Sequence, residues 1–206
     1  MGKMKIDNPL FRIMGKLGDM LLLNLLFILT CIPVLTVGMA VTAMYKVMLK
    51  RARGTDGYIF RDYIRACREE WKKSTMIWIL LLAAGAVLLF DILYIGRKWS
   101  VLGIGVGCLI VLWCMVFIYV FPLQAQFENT LKNTLKNALY LAVRFFPYTL
   151  VLLAVFALPV ICFVAGGLLL GLVGPIYLTV GFALSVRCSA ALFTKIFEQY
   201  LLLGEE

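Results

Sequence analysis

The sequence predicts an all-α protein, a polytopic bundle of transmembrane helices with about six spans arranged as three hairpins, each preceded by a cytoplasmic amphipathic helix. Three observations predict it. Hydrophobic residues make up 63% of the 206 and charged residues only 15%, against roughly half and about a quarter in soluble domains; mean hydropathy is +0.97. Apolar runs of spanning length recur from Met20 to Phe193. Lysines and arginines gather between alternate runs, as expected of loops held in the cytoplasm.

A hydrocarbon core of about 30 Å needs roughly 20 apolar helical residues. Met20 to Val37, Thr75 to Ile95, Val101 to Phe121, Tyr148 to Ala165 and Leu172 to Leu192 meet this approximately, and Met39 to Lys50 is a short sixth stretch. Charge parity decides how to treat the sixth. Lys3, Lys5, Arg12 and Lys16 precede the first run, and Lys46, Lys50, Arg51, Arg53, Arg61, Arg65, Arg68, Lys72 and Lys73 precede Thr75. Both segments belong inside, so Met20 to Lys50 goes out and returns, turning near Pro33 to Gly38. A full hairpin with Lys46 snorkelling inward is the first reading and a re-entrant loop the second.

The remaining spans then alternate, leaving both termini cytoplasmic with Lys132, Lys136, Arg144 and Lys195 inside. Arg97 and Lys98 break the rule. Trp71, Trp78, Phe145, Phe146 and Tyr148 fit an inner aromatic belt and Tyr94 and Trp99 an outer one; Trp113, in mid-span, fits neither. A signal peptide is disfavoured by the long charged leader and the spans that follow, and Leu29 and Thr30 before Cys31 do not suit a lipoprotein site.

No Ser/Pro/Gly-rich linker divides the chain, so residues 1–206 read as a single membrane domain. A weak threefold repeat, 6–53, 55–121 and 127–195, is suggested by apolar faces ahead of each hairpin: Leu10, Phe11, Met14 and Leu17; Phe60, Tyr63, Ile64, Cys67 and Trp71; Phe127, Leu131, Leu135, Leu139 and Ala142. Amphipathic, basic loops joining membrane hairpins would look the same.

Catalytic chemistry finds little to use. The chain has no histidine, which removes the usual general base and the commonest metal ligand. Six scattered cysteines without a CxxC pair indicate neither a disulfide framework nor structural zinc. Phosphate-binding, dinucleotide-binding and nucleophile-elbow motifs are missing, and no cofactor or metal is expected. Gly103 and Gly107 form a GxxxG, and Gly181, Ser185 and Ser189 a small-residue stripe; both suit close helix packing. Intramembrane polar residues are functional candidates by default, here Asn24, Asp91 and Arg187. Topology explains them too, with Asp91 pairing Arg97, Arg187 snorkelling and Asn24 bonding a neighbouring helix.

The densest polar chemistry lies in Arg51 to Lys73. Tyr58, Arg61, Arg65 and Arg68, mixed with Asp62, Glu69 and Glu70, suit a cytoplasmic partner or anionic lipid. A helix lying on the bilayer surface is the competing reading. Nucleic acid is disfavoured because the acidic residues dilute the basic face.

The stretch from NPLFRIMGKLGDMLLLNLLFILTCIPVLTVGMAVTAMYKVMLKRARGTDGYIFRDYIRACREEWKKSTMIW, with the later TLKNALYLAVRFFPYTLVLL, resembles the YesL family of bacterial membrane proteins. That resemblance implies a multi-pass protein of the bacterial cytoplasmic membrane, encoded beside carbohydrate ABC importer components, and a non-enzymatic accessory or regulatory role in sugar uptake with importer subunits as partners. It carries no catalytic residues over. A small transporter or channel, or a membrane enzyme acting on lipid or glycan, are the alternatives.

Overall fold

The computed structural model describes residues 9–55, 57–95 and 101–203, which are helical almost throughout and contain no strand. In chain order the helices are α1 (Pro9–Cys31), α2 (Val37–Ala52), α3 (Ile59–Ile95), α4 (Val101–Gln126), α5 (Leu131–Arg144), α6 (Phe146–Ala165), α7 (Gly167–Ile176) and α8 (Phe182–Leu203). A 3₁₀ turn, Val34–Thr36, joins α1 to α2, and a π-helical turn, Tyr177–Gly181, joins α7 to α8. The all-α bundle expected from the sequence is present.

Three of the described helices, or four with one bent pair, are by themselves long and apolar enough to span. Ile59–Tyr94, Gly103–Gln126 and Val173–Leu201 are each long and apolar enough to cross a bilayer. A fourth candidate is the pair Leu131–Arg144 and Phe146–Cys162, bent by 104° at the junction. In α1 the apolar part is the shorter Leu17–Cys31. Several long apolar helices thus mark a membrane protein.

The short sixth stretch of the sequence is helix α2. Its Gly38, Ala40, Thr42, Ala43, Met44, Tyr45, Val47, Met48 and Leu49 are buried, and α1, α3, α4 and α8 all pack against it. The short stretch read at Met39 to Lys50 is thus the central pillar of the bundle. A helix sheathed by protein needs neither the length nor the hydropathy of one facing lipid, which is why its sequence looked half convincing.

The α1–α2 turn is pinned where Thr36 Oγ1 donates to the carbonyls of Thr30 (2.5 Å) and Pro33 (2.7 Å). Trp78 of α3 donates its indole N–H to the Val34 carbonyl at 2.8 Å. Helix α3 continues 17 residues past Trp78, roughly 25 Å at 1.5 Å per residue. The first hairpin therefore stops far short of the α3 tip.

Helix α3 has 37 residues, about 55 Å, and joins the basic segment and the apolar segment in one rod. Residues 59–73 thus continue into the apolar segment as one helix rather than forming a separate amphipathic helix. The buried face is also turned from the one read in sequence. Tyr63, Ala66, Cys67, Glu70 and Ser74 point inward, while Phe60 and Trp71 are exposed. A carboxylate is tolerated inside because cationic and amide partners wait for it, described below.

Beyond Trp78, α3 and α4 extend as a two-helix hairpin. Trp113, unexplained by a belt, donates to the Leu81 carbonyl at 3.1 Å, and its ring lies where a Cβ on Gly85 would be, at 2.9 Å. Helix α5 buries Thr134, Ala138, Leu141 and Ala142 as it packs on α4, and leaves Leu139 exposed against the sequence expectation. The charge-free turn after Ala165 uses Gly166 and Gly167 at φ +60° and +55°, a region open to glycine at little cost.

One core runs through all of this. Tyr45 of α2 and Tyr119 of α4 meet Phe193 of α8 edge-on, at centroid distances of 5.9 and 5.2 Å, and Tyr119 shares a hydrogen bond with Thr149 of α6 at 2.9 Å.

Candidate functional site at the basic end of the bundle

The ends of α2 and α4 and the starts of α3 and α5 converge on one polar knot. Glu70, 7% exposed, takes Lys46 of α2 on one oxygen (3.0 Å) and the Gln124 amide of α4 on the other (2.9 Å). Thr134 of α5 donates to Gln124 Oε1 at 3.4 Å. Lys46 also reaches Glu69 at 2.9 Å, and Glu69 accepts from Arg65 at 2.8 Å. Bonds from Arg65 and then Lys46 hold the Glu69 carboxyl below its ordinary range.

Further pairs brace the same end. Lys50 meets Asp62 at 2.9 Å, Arg51 meets Asp19 of α1 at 2.8 Å, and Arg53 donates to Gln126. Every carboxylate in these pairs faces a cation held by a neighbouring turn or helix, so the knot neutralises itself and fixes four helix ends in register.

Helix α3 also carries a basic stripe, which meets the knot at Arg65. The Asp62 amide bonds to the Tyr58 carbonyl at 2.9 Å, which sets Tyr58 at the helix start. Tyr58, Arg61, Arg65 and Arg68 then follow at spacings of three, four and three, and so share one face. Tyr58 is 86% exposed, the three arginines are exposed, and Arg61 and Arg68 have no carboxylate partner among the described residues.

Asn24 lies elsewhere, fully buried. Its amide nitrogen donates to the carbonyls of Tyr177 (3.3 Å) and Leu178 (2.7 Å), and its oxygen accepts from the Ala183 amide (3.0 Å). These are backbone groups of the π-turn and its exit, where the regular helical ladder is interrupted. Asp91 is half-buried on the far part of α3; its expected partner Arg97, with Lys98 and Trp99, lies outside the described residues, as do Lys3 and Lys5. Arg187 is exposed and lines a cavity of about 1140 Å³ between α1, α2, α3 and α8.

The small-residue motifs divide. Gly181 is buried against the Tyr177 ring, Ser185 reaches the Tyr177 hydroxyl at 3.4 Å, and Ser189 is buried, donating to the Ser185 carbonyl at 2.6 Å. A Cβ on Gly103 or Gly107 would meet nothing within 4 Å, so among the described residues the GxxxG packs no helix. The close approach falls at Gly38 instead, where a Cβ would lie 2.5 Å from Trp78 Cβ and 2.6 Å from the Ser74 carbonyl. A lone glycine gave no motif by which to find it.

A family described as "Protein of unknown function, DUF624" has a model that matches residues 20–92. That similarity covers α1 from Met20, the pillar α2 and nearly all of α3, and so includes Asn24, Lys46, the basic stripe and Glu70. No curated protein and no solved structure matches the chain. Among the described residues no group of three metal-ligating side chains occurs.

Proposed function

We propose that the protein is a non-enzymatic accessory or regulatory component of a bacterial cytoplasmic membrane, associated with ABC-type carbohydrate uptake, which meets an importer subunit through Tyr58, Arg61, Arg65 and Arg68. The observation that carries the docking role is the continuity of α3. Because the basic stripe and the apolar segment form one helix, the stripe is an arm braced by the Glu70 knot, and Arg61 and Arg68, without a carboxylate partner among the described residues, are available to meet acidic side chains. Its inner location is supported by the concentration of lysine and arginine at this end. The sugar-uptake association is supported by the resemblance to the YesL family.

A transporter would need polar groups facing a water-filled path. Asn24, the best intramembrane candidate, has its donor and acceptor committed to helix backbone, which supports the structural role. The reading is tested by purifying tagged full-length protein in mild detergent and identifying what accompanies it. Importer subunits recovered with the wild type and lost with Arg61→Glu plus Arg68→Glu are expected. Recovery of none, with unchanged sugar uptake in a deletion strain, would remove it.

A further inference from the structure

We propose that the cavity between α1, α2, α3 and α8 is a binding site for the headgroup of a monoanionic phospholipid, with Arg187 and Lys195 contacting its phosphodiester. This goes beyond the docking role of the stripe and rests on Arg187 and Lys195 instead of Arg61, Arg65 and Arg68, although Tyr58 borders the cavity as well. The joint at Asn24 holds α1 to the start of α8, and Phe27 and Phe182 pack there at 5.4 Å. Toward the basic end the two helices border an open groove, with Gly15, Asp19 and Leu22 on one wall and Arg187, Thr194 and Lys195 on the other.

The lining is amphipathic. Met20, Met48 and Ile59 are buried and give the groove an apolar floor, whereas Arg187 and Lys195 are exposed and without a carboxylate partner among the described residues. Arg51, also lining it, is occupied by Asp19 and by the Gly57 carbonyl at 3.4 Å. Glu198 faces the same space. Three cations against two carboxylates leave an excess of one positive charge, which suits one phosphodiester and disfavours a dianionic phosphomonoester.

An apolar floor under a cationic rim suits an amphiphile, and basic pockets between helices on the cytoplasmic side are known to take lipid headgroups. The tails have a path as well. Leu21, Leu25 and Leu29 on α1 are exposed, and they continue the Leu22 wall away from the basic end.

The test uses full-length protein in detergent, titrated with phosphatidylglycerol or phosphatidylcholine, with bound lipids counted by native mass spectrometry. The wild type should prefer phosphatidylglycerol by roughly tenfold, from two cations near the headgroup. Arg187→Gln with Lys195→Gln should abolish the preference, Glu198→Gln should increase it, and Arg68→Gln, on the stripe, should leave it unchanged. Unfolding midpoints check that each variant is folded, and Glu198→Gln keeps the test open should the double variant fail to fold. Equal affinity for the two lipids, or a preference untouched by the groove variants, would overturn the proposal. Displacement of phosphatidylglycerol by millimolar glycerol phosphate would also overturn it, by showing that the site reads free phosphate.

Discussion

Asn24 Oδ1 accepts the backbone amide of Ala183 at 3.0 Å, while the same side chain's nitrogen holds the Leu178 carbonyl at 2.7 Å. One amide therefore serves both a donor and an acceptor released by the π-turn and ties α1 to α8. Asn24→Leu strands these groups in a buried setting, at a cost of about 1–3 kcal/mol each when nothing replaces the bond. A lower unfolding midpoint in detergent is expected, and Asn24→Gln should not restore it. A variant as stable as wild type would show the bonds to be incidental.

Helix α2 meets α3 closest at Gly38. Gly38→Val must push away the Trp78 side chain at its Cβ and the Ser74 backbone carbonyl and should destabilise by about 1–3 kcal/mol, the usual scale of overpacking. Gly103→Ala and Gly107→Ala meet open space and should be neutral or gain up to about 1 kcal/mol each from helix propensity. Chemical denaturation of the three variants checks the contrast. The opposite ranking would restore the GxxxG as the packing site.

The sequence displayed the helical class, the turn near Pro33 and the basic end, because these follow from hydropathy and charge read locally. It did not display the depth of the first hairpin or the role of α2. Burial by protein and burial by lipid impose different hydropathies, and no local pattern separates them at Ala40 to Leu49. The inward Glu70 and outward Trp71 were hidden for a related reason: an apolar moment assumes that charges face out, whereas Lys46 and Gln124 come from distant segments. Asn24 was visible as a polar residue in an apolar run, but its partners lie more than 150 positions away.

Glu70 is the bond shared by α2 and α4. Glu70→Ala leaves the buried Gln124 amide unmatched, while Lys46 keeps Glu69, and should destabilise by about 1–3 kcal/mol. Glu70→Gln keeps the shape and should cost less. Equilibrium unfolding of both variants checks the order; equal losses would mean that volume, not hydrogen bonding, matters there.

Glu69 gives a pH dependence. Its carboxyl sits lower in the folded protein than its ordinary 4.5, so its stabilising contribution is complete above that value and is lost as pH falls through the lower folded value. The pair is partly exposed and contributes at most about 1 kcal/mol. Wild type and Glu69→Gln should differ slightly in unfolding midpoint near neutrality and converge in acid. A gap that widens on acidification would reverse the assignment.

The most direct measurement places the basic arm of α3 relative to the membrane. With the six native cysteines replaced, Tyr58→Cys and Leu93→Cys are tested in intact cells with a membrane-impermeant maleimide, before and after the membrane is opened. Tyr58→Cys should react only after opening, and Leu93→Cys, in the apolar part of the same helix, should remain unreactive in both states. Reaction of Tyr58→Cys in intact cells would contradict the account.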